Sequence, residues 1–276
     1  MADLQAELLE RVLASYQDTG DARLREIMRL LSRALFDFAR QARLTRAEWL
    51  QAIEFLTAVG KACSGTHQEF ILLSDVLGLS SLVELMEQGE LSGETVGTVL
   101  GPVYRDDSPW RTSGASPIEQ DDGGQRIEIG GVVRSSAGAP LAGAIVDVWG
   151  CASNGLYPSQ DPVQPATNLR GRFRTGTDGS YRFITLRPVN YSVPTGGPVG
   201  DLLRATARSP GRAAHVHLWV RSPGYRDVIT HVFDAASVHI GSDAVFSVTP
   251  SLVRVMEPGG AQPARVRFDV ALAPER

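Results

Sequence analysis

The chain has 276 residues, of which 27 are basic and 31 acidic, giving a formal net charge of −4 with 43% hydrophobic residues. That length allows one large or two modest domains with ample core, and the slightly acidic balance argues against nucleic acid or an anionic membrane as partner. Cys63 and Cys151, the only cysteines, argue against a disulfide framework and fit a reducing, cytoplasmic setting; the charged start MADLQAELLERVL has no apolar signal core, and no apolar run reaches the roughly 18 residues of a membrane span.

Helical spacing dominates the first hundred residues. Leu8, Leu9, Val12 and Leu13 form one apolar stripe, and Leu24, Ile27, Met28, Leu31 and Leu35 form the next. A third helix is predicted from Thr45, with Glu48 three residues on completing a capping box. A fourth is predicted over His67 to Met86 with a break near Gly78. Residues 101–125 then read as irregular chain, rich in Pro, Gly, Asp and Ser, and a loop of that length is more often functional than idle. From residue 125 the texture alternates with period two, in RIEIGGVV, AIVDVWG, YRFITL, HVHLWV, DVITHVF and ARVRFDVAL, with Gly and Pro concentrated between the runs. The expected fold is mainly β with an α-helical N-terminal region: a helical domain over 1–100 and an antiparallel β-sandwich over 101–276.

Within HVHLWV, His215 and His217 stand two apart, so on a strand both imidazoles project from one face. Such a pair is a natural half of a metal site. No His-x-x-Glu-His, Cys-x-x-Cys or paired carboxylate nearby completes a zinc or ferrous site of the usual kinds. Tyrosine can take that place, because a phenolate is a hard anionic donor suited to a hard ferric ion. Tyr157 and Tyr191 lie upstream in Gly-rich surroundings; taken alone they read equally as core or turn aromatics. Arg212 alone reads as a loop charge, Asp75 as a helix-capping carboxylate, His67 and His239 as surface or turn residues, and Cys151 as buried and inert.

The stretches EFILLSDVLGLS, GTVLGPVYR, GAIVDVWGCASNGLY, LRGRFRTGTDGSYRF, RPVNYSVPTGGPVGDLL, AAHVHLWVRSPGY and SDAVFSV, in this order and spacing, resemble the intradiol ring-cleavage dioxygenases of the catechol and hydroxyquinol type. The resemblance runs from about Phe55 to Leu272. It implies one Fe(III) per chain, held by Tyr157, Tyr191, His215 and His217, with Tyr191 acting as general base and Arg212 stabilising charge on the substrate. The implied reaction cleaves the ring of an aromatic diol between its two hydroxylated carbons with O2, needing no nicotinamide or flavin. Residues 131–195 alone also resemble prealbumin-like sandwich modules, a reading that leaves HVH and the helical block unexplained.

The resemblance further implies a substrate pocket lined by Leu72, Asp75, Val99, Leu100, Gly101, Pro102, Val103, Val193, Pro194, Arg212, His231 and Val245. A carboxylate at Asp75 offers an acceptor to a third ring hydroxyl, and a site built for a hydroxyl penalises an analogue lacking it. Hydroxyquinol is therefore the expected substrate, with catechol or chlorocatechols as the alternative. Val103 stands where an aromatic residue is common in the family, which implies a wider pocket. The helices of residues 1–60 are expected to form a homodimer interface holding a phospholipid.

Overall fold

The computed structural model describes residues 2–88, 93–256 and 262–275. Five helices, among the described residues, occupy the first third: α1 (Ala2–Ala14), α2 (Ala22–Ala42), α3 (Arg46–Ala62), α4 (Glu69–Val76) and α5 (Leu79–Gln88). The predicted capping box opens α3. The Thr45 backbone N–H donates to Glu48 Oε2 at 2.8 Å, and the Glu48 N–H donates to Thr45 Oγ1 at 3.3 Å. The predicted break falls at Gly78, whose φ of 78° separates α4 from α5. Asp21 caps α2, accepting from the N–H groups of Arg23 and Leu24.

The chain divides into two compact units, residues 1–57 and 58–276. In the first, α1 and α2 are tied by Arg29, whose guanidinium donates to the Leu13 carbonyl at 2.8 Å, and by a 3.1 Å bond between the Tyr16 and Ser32 hydroxyls. Much of the apolar stripe of α2 stays exposed, including Leu30, Leu35 and Phe38.

The second unit carries the strands β1 (Arg126–Ser135), β2 (Ile145–Trp149), β3 (Arg170–Arg174), β4 (Ser180–Leu186), β5 (Tyr191–Ser192), β6 (Gly211–Arg212), β7 (His215–Arg221), β8 (Val228–Asp234), β9 (Val253–Arg254), β10 (Ala264–Arg267) and β11 (Val270–Leu272), with helix α6 (Pro198–Ala205) between β5 and β6. One sheet runs β3-β2-β7-β8-β9; the other centres on β1, flanked by β4, β10 and β11. Inward residues of both sheets share one core: Ile127, Ile129 and Phe183 from the first-strand sheet meet Val146, Leu218 and Val232 from the other.

The pairing is antiparallel except where β10 and β11 lie parallel to β1, and β9 parallel to β8. The run ARVRFDVAL, expected as one strand, is split at Phe268 and Asp269. Asp269 turns its carboxylate to the Val132 N–H at 3.0 Å, replacing a ladder bond. The chain can pass so close only because residue 131 is glycine; a Cβ there would sit 2.1 Å from the Phe268 carbonyl oxygen.

Candidate metal centre

Strand β7 alternates as its sequence requires. Val216, Leu218 and Val220 enter the core, while His215 and His217 face the opposite side of the sheet. Register then decides the neighbours of His217. Trp149 of β2 and His231 of β8 are its cross-strand partners. The Trp149 ring stacks on His217 with centroids 4.5 Å apart, and His231 Nε2 lies 2.8 Å from His217 Nδ1.

The tyrosines arrive from irregular chain. Tyr157 sits in a turn pinned by the Gln160 side chain, whose Oε1 accepts the Tyr157 N–H at 3.0 Å. Gly155, with a φ of 79°, makes that turn and lets it approach Tyr191; a Cβ at 155 would lie 3.1 Å from the Tyr191 Cβ. Tyr191 lies on β5, opposite Arg212 of β6.

Four side-chain donors therefore converge. Tyr157 Oη lies 3.1 Å from Tyr191 Oη and 3.0 Å from His217 Nε2. His215 Nε2 lies 3.3 Å from Tyr191 Oη and 3.1 Å from His217 Nε2. Four donors about 2.0–2.1 Å from one ion have neighbouring edges of roughly 2.9–3.3 Å, so this quartet has the span of a first coordination shell. The backbone carbonyl of Ala213, an acceptor only, lies 2.6 Å from His215 Nδ1. That bond fixes the ring proton on Nδ1 and leaves a lone pair on the Nε2 that faces the other donors.

Electrostatics point the same way. Burial pushes Tyr191 up to about 12 against the opposing pull of Arg212, and burial together with the neighbouring Tyr191 pushes Tyr157 well above the usual phenol range. His215 is driven down to about 3 by burial and then by Arg212, and His217 falls well below its ordinary value for the same reasons, with His215 adding to the effect. Both imidazoles are neutral, as metal donors must be. Two phenols so buried stay protonated even with Arg212 beside Tyr191, and a cation among them supplies the compensation that turns them into phenolates. The residues present fit a metal ion.

Arg212 and Asp243 form an ion pair of 2.7 Å with both side chains almost fully buried. Arg212 also donates to Ser247 Oγ at 3.1 Å and approaches Tyr191 Oη at 3.5 Å. Asp243 additionally accepts the N–H groups of Ala213 and Ser247, both at 3.1 Å. Sequence reasoning passed over Asp243, Ser247 and Trp149 as functional residues. The available signal was Asp243 and Ser247 four apart in SDAVFS, a spacing at which one carboxylate can cap the following turn.

The expected pocket residues fall into groups. Val103 packs in one buried cluster with Trp149, Cys151 and Tyr157, and Leu100 and Tyr191 flank it. Gly101 adjoins the cluster, since a Cβ there would lie 3.6 Å from His217 Cε1. Pro102 accepts the Gln68 N–H through its carbonyl, and Pro194 lines a pocket together with Val103. Leu72, Val99, Val193 and Val245 are buried but lie outside the Tyr157 cluster. His231 meets His217 at Nδ1, with a ring nitrogen within 4.8 Å of those of His215 and His217, and its own Nδ1 is buried without a partner among the described residues. Asp75 is 1% exposed, and neither of its carboxylate oxygens has a hydrogen-bond partner among the described residues, the nearby Ser80 hydroxyl being engaged with Ser74 Oγ; burial lifts it to about 6 against the pull of Ser80 and Arg212.

A sandwich carrying a buried His-x-His strand face and two convergent tyrosines presents a donor set suited to a hard metal ion. Comparison with known proteins makes this specific. The family described as Dioxygenase matches residues 99–274, and Catechol dioxygenase N terminus matches residues 21–95. The chain is 42% identical over 272 residues to a 6-chlorohydroxyquinol 1,2-dioxygenase of Cupriavidus pinatubonensis, covering 98% of each. It is 43% identical over 245 residues to a hydroxyquinol 1,2-dioxygenase of Rhizobium sp., covering 88% of this chain and 83% of that one. The crystal structure of a hydroxyquinol 1,2-dioxygenase from Pseudomonas putida superposes with a TM-score of 0.88 at 37% identity, over 100% of both chains. The chain belongs to the intradiol ring-cleavage dioxygenase family and is an enzyme of that class.

Proposed function

We propose that the protein cleaves hydroxyquinol (1,2,4-trihydroxybenzene) between its two adjacent hydroxylated carbons, placing both atoms of O2 in 3-hydroxy-cis,cis-muconate, the enol of maleylacetate. The observation that carries this is the convergence of Tyr157, Tyr191, His215 and His217 at 3.0–3.3 Å. The resident group in this reading is one Fe(III) per chain, because two phenolates and two imidazoles form a hard donor set. Held by Tyr157, Tyr191, His215 and His217, a ferric ion would supply Lewis-acid binding of the diolate and activation of its ring towards O2.

The chain's own residues supply the rest. Tyr191 releases its donor position and takes a proton from a diol hydroxyl, as a general base positioned within the site. Arg212, fixed in orientation by Asp243 and Ser247, keeps a permanent positive charge beside Tyr191 and the substrate. Tyr157 and the two histidines remain in place. Asp75, with no hydrogen-bond partner among the described residues, has acceptor capacity for the third hydroxyl. The remaining wall is assigned to Leu72, Val99, Leu100, Gly101, Pro102, Val103, Val193, Pro194 and Val245, with His231 supporting His217.

The names carried by the relatives support hydroxyquinol over catechol. The test is parallel turnover of hydroxyquinol and catechol by iron-loaded protein, with oxygen uptake and product absorbance followed together. Preference for hydroxyquinol supports the proposal; preference for catechol replaces it with the alternative.

The same reading treats residues 1–100 as a helical dimerisation and linker domain and 101–276 as the catalytic domain. The exposed apolar residues Leu30, Leu35 and Phe38 of α2, with Trp49 and Ile53 of α3, support a homodimer and a phospholipid bound between its helices. A mass in solution of one 29.7 kDa chain would contradict the dimer. Two unpaired cysteines support a cytoplasmic location, and among the described residues no helix is long and apolar enough to cross a membrane.

A further inference from the structure

A second polar constellation lies outside the four donors. His67, just ahead of α4, places Nε2 2.6 Å from Glu69 Oε2. Glu69 is buried and held from its other side, because Oε1 accepts the Val199 N–H of α6 at 3.0 Å. Gly197 permits that approach; a Cβ there would lie 2.6 Å from Glu69 Oε1. The carboxylate only accepts, so His67 donates to it through Nε2 and the ring's other nitrogen, Nδ1, is left outside that bond. No described residue bonds to that Nδ1, and the His67 side chain remains 25% exposed.

His67 and Glu69 line a pocket of about 320 Å³ together with Val103, Gln160 and Pro194. That space exceeds a single ring substituent and takes a whole monocyclic aromatic molecule. Its walls adjoin the segments that carry the tyrosines: Val103 packs with Tyr157, Gln160 pins the Tyr157 backbone, and Pro194 follows β5, which carries Tyr191. Both oxygens of Glu69 are engaged within the protein, so the open polar position that the pair contributes to this pocket is His67 Nδ1.

We infer that this pocket is an entry subsite for the aromatic diol, in which His67, oriented by Glu69, hydrogen-bonds a ring hydroxyl through Nδ1 before the substrate reaches Tyr157 and Tyr191. The inference rests on the ring-cleaving function proposed above and adds a recognition residue to it. His67 contributes to capture and not to ring opening, so its loss appears in KM and leaves kcat unchanged.

Two amides separate this role from a structural one. In His67→Asn the side-chain amide takes the place of Nδ1, whereas in His67→Gln the amide reaches Glu69 and the Nδ1 position is lost. His67→Leu and His67→Gln are expected to raise KM for the diol about five- to tenfold, the worth of one neutral hydrogen bond. His67→Asn is expected to stay within about threefold of wild type. All three should keep kcat and the visible absorption of the iron-loaded protein. Rescue by Gln and failure of Asn would make His67 a mere support for Glu69 and overturn the inference, as would unchanged KM in all three. A wild-type protein that turns over no diol would instead sink the ring-cleaving function itself, and the entry subsite with it.

Discussion

Removing the carboxylate of Asp243 is a severe test of how Arg212 is held. Arg212 and Asp243 are each about 2% exposed, and their 2.7 Å contact is backed by three further bonds to Asp243 from Ala213 N–H, Ser247 N–H and Ser247 Oγ. Asp243→Ala therefore leaves a guanidinium buried without its counter-ion and two backbone N–H groups without an acceptor. Breaking a buried pair in this way costs about 3–5 kcal/mol. In a unit of residues 58–276, each kcal/mol moves the melting temperature by about 2–4 °C, so a fall of roughly 6–20 °C is expected. Adding Arg212→Met to Asp243→Ala removes the stranded charge and should recover part of the loss. The pH dependence has a definite sign. Burial opposes ionisation of Asp243, but Arg212 and the N–H donors hold its carboxyl below the usual range. Its stabilisation is therefore present above the unfolded carboxylate pKa of about 3.9 and is lost as pH falls through the lower folded value. Urea and thermal unfolding, followed by circular dichroism between pH 3 and 8, read both effects. A loss under about 1 kcal/mol, typical of an exposed pair, would refute the reasoning.

Three further outcomes follow from the same geometry. Tyr191→Phe should abolish most turnover while iron still binds through Tyr157, His215 and His217; wild-type turnover would remove the base role from Tyr191. Asp75→Ala should damage hydroxyquinol cleavage more than catechol cleavage, and equal losses would remove the third-hydroxyl contact. The same variant carries a stability signature. The folded pKa of Asp75, about 6, lies above its unfolded value, so its favourable contribution is complete below about pH 4 and is lost as pH rises towards 6. Relative to wild type, Asp75→Ala should therefore gain about 2–3 kcal/mol between pH 4 and 7, and a gap independent of pH would contradict this. Stripping the metal with a chelator should lower the melting temperature and return both tyrosines to neutral phenols, visible as loss of phenolate absorbance; an unchanged melt would mean that no ion is held there.

The legible parts of this chain were those written in local periodicity. The shared face of His215 and His217 follows from period two alone, and the capping box at Thr45 and the break at Gly78 follow from residue type. The direction of β10 and β11 is not written locally, because alternation is the same for parallel and antiparallel partners. The split at Asp269 depends on Gly131 in a distant strand. Tyr157 sits in a turn and Tyr191 on a two-residue strand, both in stretches whose sequences carry no period, so their meeting emerged only through resemblance to a family. Residue chemistry alone left His67 as a surface histidine, because its partner Glu69 is fixed by α6, 130 residues further on.

The most direct measurement is the visible absorption spectrum of the iron-loaded protein, recorded before and after anaerobic addition of hydroxyquinol. The account predicts a broad tyrosinate-to-iron charge-transfer band that shifts when the diol chelates the metal. A colourless protein with its ferric content confirmed would mean that Tyr157 and Tyr191 do not bind the ion, and would contradict the account at its centre.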